Sequence, residues 1–302
     1  MQASVKAEQI DLDEPPPTGN ERAVKRPESS SDHFLVIEPG RRQLQKDLNE
    51  LLHYRDLLYF LVRRDISIRY KQTLLGVAWA VLQPFMTMVV FSVFLGRFAG
   101  VPSDGIPYPV FAYLGLLPWT YFSGSVSRCS ASLVGHSNLL GKVYFPRIII
   151  PLSATLSALI DFAIAGVVLV GIMAWYGVAP AASSILFLPL TALTAFLAFG
   201  VGMWLAALNV QYRDIQHATP FLMQIWMFAT PIVYPNSIVP ANYRFVFQLN
   251  PMAGIIAAYR DSALGNPVDW PALGIALIVG LVVMSLGVWQ FRRMDRYFAD
   301  IV

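Results

Sequence analysis

The sequence predicts an all-α membrane protein with six transmembrane helices, and three observations carry that prediction. Apolar residues make up 56% of the 302 residues and charged residues 14%, against roughly 25% charged in an ordinary soluble domain; mean hydropathy is +0.52. Charge is segregated: residues 1–73 hold 24 charged side chains, whereas the 218 residues from Leu74 to Phe291 hold 12. Six apolar stretches, at about 74–96, 108–128, 148–175, 184–209, 216–234 and 270–291, are each near the ~20 residues that cross ~30 Å of hydrocarbon. Lipid offers no partners to peptide groups, so continuous spans of this length must be helices rather than barrel strands.

Residues 1–53 read as a mostly disordered cytoplasmic tail. The first 33 carry seven acidic and four basic side chains, the Pro15-Pro16-Pro17 run and Ser29 to Ser31, with almost nothing large and apolar to bury. Phe34–Ile37 with Pro39 and Gly40 suggests a strand and turn, and Gln43–Leu52 a polar helix. No basic start leads into an apolar run, as a secretory leader requires, so the amino terminus is expected in the cytoplasm. From Tyr54 to Tyr70, Leu57, Leu58, Phe60, Leu61, Ile66 and Ile68 alternate with Arg55, Asp56, Arg63, Arg64, Asp65 and Arg69. This stretch is too charged to span, and is expected to lie in the headgroup plane with its arginines on lipid phosphates.

Orientation follows from lysine and arginine. Arg55, Arg63, Arg64, Arg69, Lys71, Arg128, Lys142, Arg147, Arg213, Arg292, Arg293 and Arg296 share one side of a six-span chain, and Arg97, Arg244 and Arg260 the other. Twelve against three places both termini in the cytoplasm. Residues 235–268 contain apolar pieces too short to cross, interrupted by Pro240, Pro251 and Pro267. They are expected to be re-entrant, which backbone tolerates only under protein cover or beside a wet cavity.

Several chemistries are excluded. A phosphate loop needs Gly, four residues, then Gly-Lys-Ser/Thr; here five residues separate Gly135 from Gly141-Lys142, and Val143 follows. Asp11-Leu12-Asp13 falls in the tail rather than beside a pocket, and His33, His53, His136 and His217 lack metal-ligand spacing. A single cysteine, Cys129, rules out an internal disulfide. The chain is therefore not expected to be an enzyme by itself, and its basic residues flank apolar runs instead of forming a nucleic-acid footprint. Between spans two and three, Leu133, Val134, Leu139, Leu140, Val143 and Tyr144 stand among Ser137, Asn138 and Lys142, the pattern of a short helix docking into a partner's groove.

Arg64-Asp65-Ile66-Ser67-Ile68-Arg69-Tyr70-Lys71, then Leu75-Gly76-Val77-Ala78-Trp79 and Gln83-Pro84, resembles the opening signature of permease subunits of type-2 ABC transporters for bacterial polysaccharide and O-antigen export. Lys142-Val143-Tyr144-Phe145-Pro146-Arg147 with Pro151, Asn209-Val210-Gln211-Tyr212-Arg213-Asp214-Ile215, Pro231-Ile232-Val233-Tyr234-Pro235, and Asn250-Pro251 with Tyr259-Arg260 follow in the family's order. The resemblance covers about residues 54–302, the expected transmembrane domain. It implies a homodimer in the bacterial inner membrane, bound to two copies of a separate ABC ATPase subunit that carries the ATP and magnesium, and moving a polyprenyl-pyrophosphate-linked glycan to the periplasm. It also implies an interface helix bearing Arg63, Arg64, Asp65, Arg69 and Tyr70, with Asp65 and Arg69 pairing across the ATPase junction. The ATPase-coupling helix would hold Asn138, Leu139, Leu140, Lys142, Tyr144, Phe145, Pro146 and Arg147.

Sugars present C–H faces that stack on aromatic rings without a fixed charge, so a glycan path calls for an aromatic lining. Phe91, Phe94 and Phe98 of span one, Tyr108, Phe111, Tyr113, Trp119 and Tyr121 of span two, and Trp226, Phe228 and Tyr234 of span five are its candidates. Packing and interfacial anchoring compete for the same rings. Asp161, near the middle of span three, must face protein or water. No cationic residue lies at matching depth along the spans, so a hydrogen bond to Ser153, Ser157 or a neighbouring span is expected. Arg213-Asp214 is expected to pair at the membrane edge, and Arg244 and Arg260 either meet pyrophosphate or hold re-entrant backbone. Gly166, Gly171, Gly200 and Gly202 permit close helix approach. The alternatives are capsular polysaccharide or teichoic acid as cargo, a glycan-transferring membrane enzyme, which would need clustered acids, and a secondary transporter, which would show paired intramembrane charges or repeats.

Overall fold

The computed structural model describes residues 52–71, 76, 78–140, 145–238 and 247–295. Residues 1–51 of the expected tail, and Lys142, Tyr144, Arg244 and Arg296, lie outside the described residues. Within them all regular structure is helical and no strand occurs.

Helix α1 is Arg55–Lys71, the charged amphipathic stretch. Helix α2, Ala78–Phe91, runs directly into a π-helical turn, Ser92–Phe98. Helix α3, Tyr108–Gly135, begins after Pro107, whose fixed φ suits a helix start. A single turn, α4 (Ser137–Leu140), precedes α5 (Ile149–Trp175). Then come a 3₁₀ turn, Ala182–Leu186, α6 (Phe187–Gln211), α7 (Ile215–Phe228), α8 (Pro251–Leu264) and α9 (Trp270–Asp295).

Four segments are long and apolar enough to cross a membrane: Ala78–Phe98, Ile149–Trp175, Ala182–Gln211 and Trp270–Met294. The expectation of six spans is met at this level by four. Helix α3 has the length, about 42 Å at 1.5 Å per residue, but its second half carries Ser123, Ser125, Ser127, Arg128, Ser130 and Ser132. It can be this polar because it is the axis of the molecule: α5 and α6 flank it, and Val110 to Trp119 are all buried. Helix α7 is only 14 residues, about 21 Å, and turns follow it.

Helix α3 also runs seven residues past the expected end of span two. Ser130–Gly135 is thereby its last turns rather than part of the connector, and Leu133 is fully buried in the chain's own core. That removes Leu133 from the face expected to dock on a partner.

The core has two parts. The larger one is centred on α3 and includes Tyr113, Phe122, Leu197 and Tyr259. The smaller one joins Leu61 of α1, Leu133 of α3, Phe145, Ile149 and Ile150 at the start of α5, Met203 and Ala206 of α6, and Phe291 of α9. Close helix approach falls at particular glycines. A Cβ on Gly287 would sit 2.5 Å from the Gly200 carbonyl oxygen, and one on Gly202 would sit 2.6 Å from Cβ of Cys129. Gly166 and Gly171, expected to do the same, face open space within this chain.

Helix α8 is a buried half-length helix where re-entrant structure was expected. Asn250 caps it, accepting from the Met252 N–H at 3.2 Å and from Trp226 Nε1 at 3.1 Å, while its amide donates to Thr230 Oγ1 at 2.9 Å. Arg260 donates to the carbonyls of Pro231 and Ile232 and lies 3.7 Å over the Phe111 ring. Of its two expected roles, Arg260 therefore takes the backbone-holding one. Gly115 makes room for it, since a Cβ there would meet Arg260 Nη2 at 2.6 Å.

Gly287→Val should lower thermal stability by about 1–3 kcal/mol, the usual cost of overpacking a filled site. Gly166→Ala, whose new Cβ meets nothing within 4 Å, should raise it by about 0.5–1 kcal/mol, the advantage of alanine over glycine inside a helix. Thermal unfolding of the purified chain in detergent measures both.

Candidate functional site

The site is the junction of α1 with α3 and α5. Helix α1 lies against the first half of α5, with Leu61 buried and Tyr54, Leu57 and Leu58 packed on the smaller core. Its charged residues do not all point to water. Arg64 pairs with Asp65 at 3.0 Å and contacts His136, whose Nδ1 lies 2.7 Å from the Ser132 carbonyl of α3. Ser153 of α5 donates to Asp65 at 3.5 Å.

One turn further along, Arg69 reaches Asp161 of α5 at 2.5 Å and donates to Ser157 Oγ at 3.3 Å. The Tyr70 hydroxyl donates to the other Asp161 oxygen. Arg128 of α3 approaches the same Asp161 oxygen as Arg69, at 3.5 Å. The expectation that Asp161 has no cation at matching depth is thus overturned. Its partners come from a helix outside the spans and from the polar half of α3, which a count along the spans did not bring to that depth. Ser157 and Ser153 bond to this charge network instead of to Asp161. Asp65 and Arg69, expected to pair across an ATPase junction, have partners inside the chain. Burial, followed by the neighbouring Asp161 carboxylate, raises the pKa of Tyr70 above its ordinary value, so its hydroxyl is a donor at neutral pH.

The connector completes the junction. Asn138, Leu139 and Leu140 lie on the one-turn α4, and Leu139 packs on the smaller core. Phe145 is buried in that core, while the Pro146 and Arg147 carbonyls accept the first amides of α5. Arg63 of α1 is exposed.

The eleven rings expected along a glycan path separate into two groups. Phe111, Tyr113, Trp119 and Tyr121 are buried inside the protomer. Tyr113 donates to the Ala165 carbonyl, and Trp119 meets Trp226 edge-on at 6.4 Å. Tyr108 donates to the Val233 carbonyl at 2.6 Å and Tyr234 to that of Phe228 at 3.2 Å; Phe91 is half-buried. These rings hold helices together. Phe94, Phe98 and Phe228 are exposed, with the first two forming an edge-on pair at 5.9 Å.

Sequence reasoning counted Arg128 as a cytoplasmic-side charge and gave Asn209 a place in a motif but no role. Buried Asn209 donates to the Ser130 carbonyl at 3.0 Å and accepts from the Gln216 N–H at 3.2 Å, tying α3, α6 and α7 together. A signal existed for Arg128: it follows Gly124 by four residues in an otherwise uncharged segment, which places both on one helix face.

The sequence that builds this junction has relatives in other proteins. Residues 56–264 match the ABC-2 type transporter family. The chain belongs to that family. It is similar to an O-antigen export system permease protein RfbA of Myxococcus xanthus, 33% identical over 261 residues that cover 84% of this chain and 98% of the relative. An RfbA of Klebsiella pneumoniae is 28% identical over 250 residues, 82% of this chain and 95% of the other. The polysialic acid transport protein KpsM of Escherichia coli is 25% identical over 236 residues, 77% and 91% of the two chains. Membership of the ABC-2 family, together with four helices able to cross a bilayer, makes the chain a multi-pass membrane protein.

Asp161→Ala should destabilise the chain by roughly 1.5–3 kcal/mol, the range for hydrogen bonds to charged groups. A double-mutant cycle of Asp161→Asn with Arg69→Gln should give a coupling of about 0.5–3 kcal/mol. Additive effects in thermal unfolding would show that the pair does not hold α1 to α5.

Proposed function

We propose that this chain is the transmembrane subunit of an ATP-driven exporter that moves polyprenyl-pyrophosphate-linked polysaccharide, O-antigen foremost, from the cytoplasm to the periplasm. The observation that carries this reading is similarity to two O-antigen export permeases over more than four-fifths of the chain. The KpsM likeness favours capsular polysaccharide as the second reading of the cargo.

Two copies of the chain sit in the bacterial inner membrane on two copies of a separate ABC ATPase, which binds the ATP and magnesium; the permease binds no cofactor directly. Residues 54–302 are its transmembrane domain, residues 1–53 its cytoplasmic tail, and both termini lie in the cytoplasm. The twelve-to-three distribution of basic residues supports that orientation. The six crossings are Ala78–Phe98, α3, α5, α6, α7 with the turns after it, and α9, with α8 re-entering from the periplasmic side.

Helix α1 is the interface helix, and Asn138 to Arg147 form the coupling segment. A force on that segment has a short route into the bundle, because Leu139 and Phe145 share one core with α1, α6 and α9. Among the path rings, Phe94, Phe98 and Phe228 have surface free for a sugar.

The permease co-purified with its ATPase should show ATP hydrolysis stimulated by lipid-linked O-antigen; no stimulation by any lipid-linked glycan would refute the reading. Leu139→Asp should abolish export in cells while the complex keeps hydrolysing ATP, and undiminished export would remove the coupling role. Phe94→Ala with Phe98→Ala should slow export several-fold at unchanged protein level. If export and protein level fall together, the pair is packing.

A further inference from the structure

Next to the Asp161 cluster is a cavity of about 160 Å³ between α2, α3 and α5, far larger than the roughly 10–15 Å³ that one water needs. Its walls include Trp79 and Gln83 of α2, Thr120, Ser123 and Arg128 of α3, and Asp161 of α5. Among its lining residues Asp161 is the one acid and Arg128 the one base. Two arginines converge on that carboxylate, and Arg69 holds it at 2.5 Å against 3.5 Å for Arg128.

Arg128 is incompletely satisfied. Its Nε is buried with no hydrogen-bond partner, and a buried donor left unpaired is costly. Gly124 makes space for the guanidinium, since a Cβ at that position would sit 3.3 Å from Arg128 Nη2. A cavity whose acid is already engaged by Arg69, with an unused guanidinium N–H on Arg128 and the amide of Gln83 in its wall, selects an oxyanion; the Thr120 and Ser123 hydroxyls in the same wall donate to the carbonyls of Leu117 and Thr120. The planar guanidinium suits phosphate oxygens in particular.

The setting points to a phosphate carried on a lipid. Trp79 is exposed beside the cavity, and Met86 and Val90 further along α2 and Val93 in the π-helical turn after it are exposed and apolar. An acyl or prenyl chain can lie along that face of α2 while its head enters the cavity, and tryptophan is the residue that sits at headgroup level.

We propose that the cavity beside Asp161 binds the phosphate-bearing head of a lipid through Arg128, with the Gln83 amide as a neutral donor. The proposal rests on the transporter reading only for which leaflet the cavity faces. Its ligand chemistry is a phosphodiester or pyrophosphate at the end of a hydrocarbon chain, so either a membrane phospholipid or a polyprenyl pyrophosphate can supply it.

The test is lipid binding to the full-length permease–ATPase complex by native mass spectrometry, titrated separately with phosphatidylglycerol, undecaprenyl pyrophosphate and inorganic pyrophosphate. Arg128→Gln should weaken at least one of the two lipids tenfold or more, and Arg128→Lys should restore part of it. Loss confined to undecaprenyl pyrophosphate assigns the site to the prenyl lipid, and loss confined to phosphatidylglycerol assigns it to the bilayer. Gly124→Leu, which fills the cavity and crowds the Arg128 guanidinium without removing any charge from the chain, should have the same effect as Arg128→Gln and covers the case in which that variant fails to fold. Lipid affinities within twofold of the parent in both variants would overturn the proposal, as would inorganic pyrophosphate binding as tightly as either lipid. A complex that still exports glycan while showing no variant effect removes this site and leaves the transporter reading standing.

Discussion

A carboxylate twelve residues into a 27-residue apolar helix is the constraint on which the rest of this structure depends. Left ionised in hydrocarbon, Asp161 would cost on the order of 2.5–3.5 kcal/mol on insertion scales. The fold answers with a tyrosine and an arginine from α1 and a second arginine from α3. Helix α1 therefore does more than lie on a surface by its apolar side. Its last turn is bound to α5 by charge, while Leu61 anchors its middle by burial. The same need keeps Arg128 and the serines around it in the lower half of α3, and that half stays polar because protein, rather than lipid, surrounds it.

Polar side chains elsewhere serve the backbone. Wherever a helix stops inside the bundle, its terminal N–H and C=O groups need partners that lipid cannot supply. Asn250 caps α8, Asn209 receives an N–H from the first turn of α7, and Arg260 bonds two carbonyls in the turn after α7. These three residues make broken helices tolerable on one side of the bundle. Their burial explains how α7 and α8, each about 21 Å long, persist beside helices of nearly twice that length.

The connector between α3 and α5 is short and rests on a core shared with α1, α6 and α9. Close-packed cores transmit displacement poorly by deformation and well by rigid-body motion. In the coupling role proposed for that connector, a push on it would reach several helices at once. The aromatic residues complement this division: rings sealed inside the protomer fix helix positions, and the exposed pair Phe94 and Phe98 stands at the π-helical end of α2, where the helix departs from regular geometry.

Much of this was legible in the chain itself. Apolar runs located the long helices to within a few residues, charge separated α1 from them, and ordered motifs such as Lys142 to Arg147 and Asn209 to Ile215 pointed to the family. The seven extra residues of α3 were not legible, because Ser130, Ser132 and Gly135 interrupt the apolar run, so that Leu133 and Val134 read as part of a separate docking helix, whereas Leu133 is buried in the chain's own core. Nor were the partners of Asp161, which lie 33 to 92 residues away in sequence. Ring by ring, aromatic composition could not separate packing from exposure, since what buries Phe111 and exposes Phe94 is only what surrounds them. Hydropathy and charge act locally, so the sequence by itself determined that the chain is a helical membrane bundle and where most of its elements begin and end. Pairing, burial and cavity shape are set by residues distant in the chain meeting in space, and only the tertiary structure decided them.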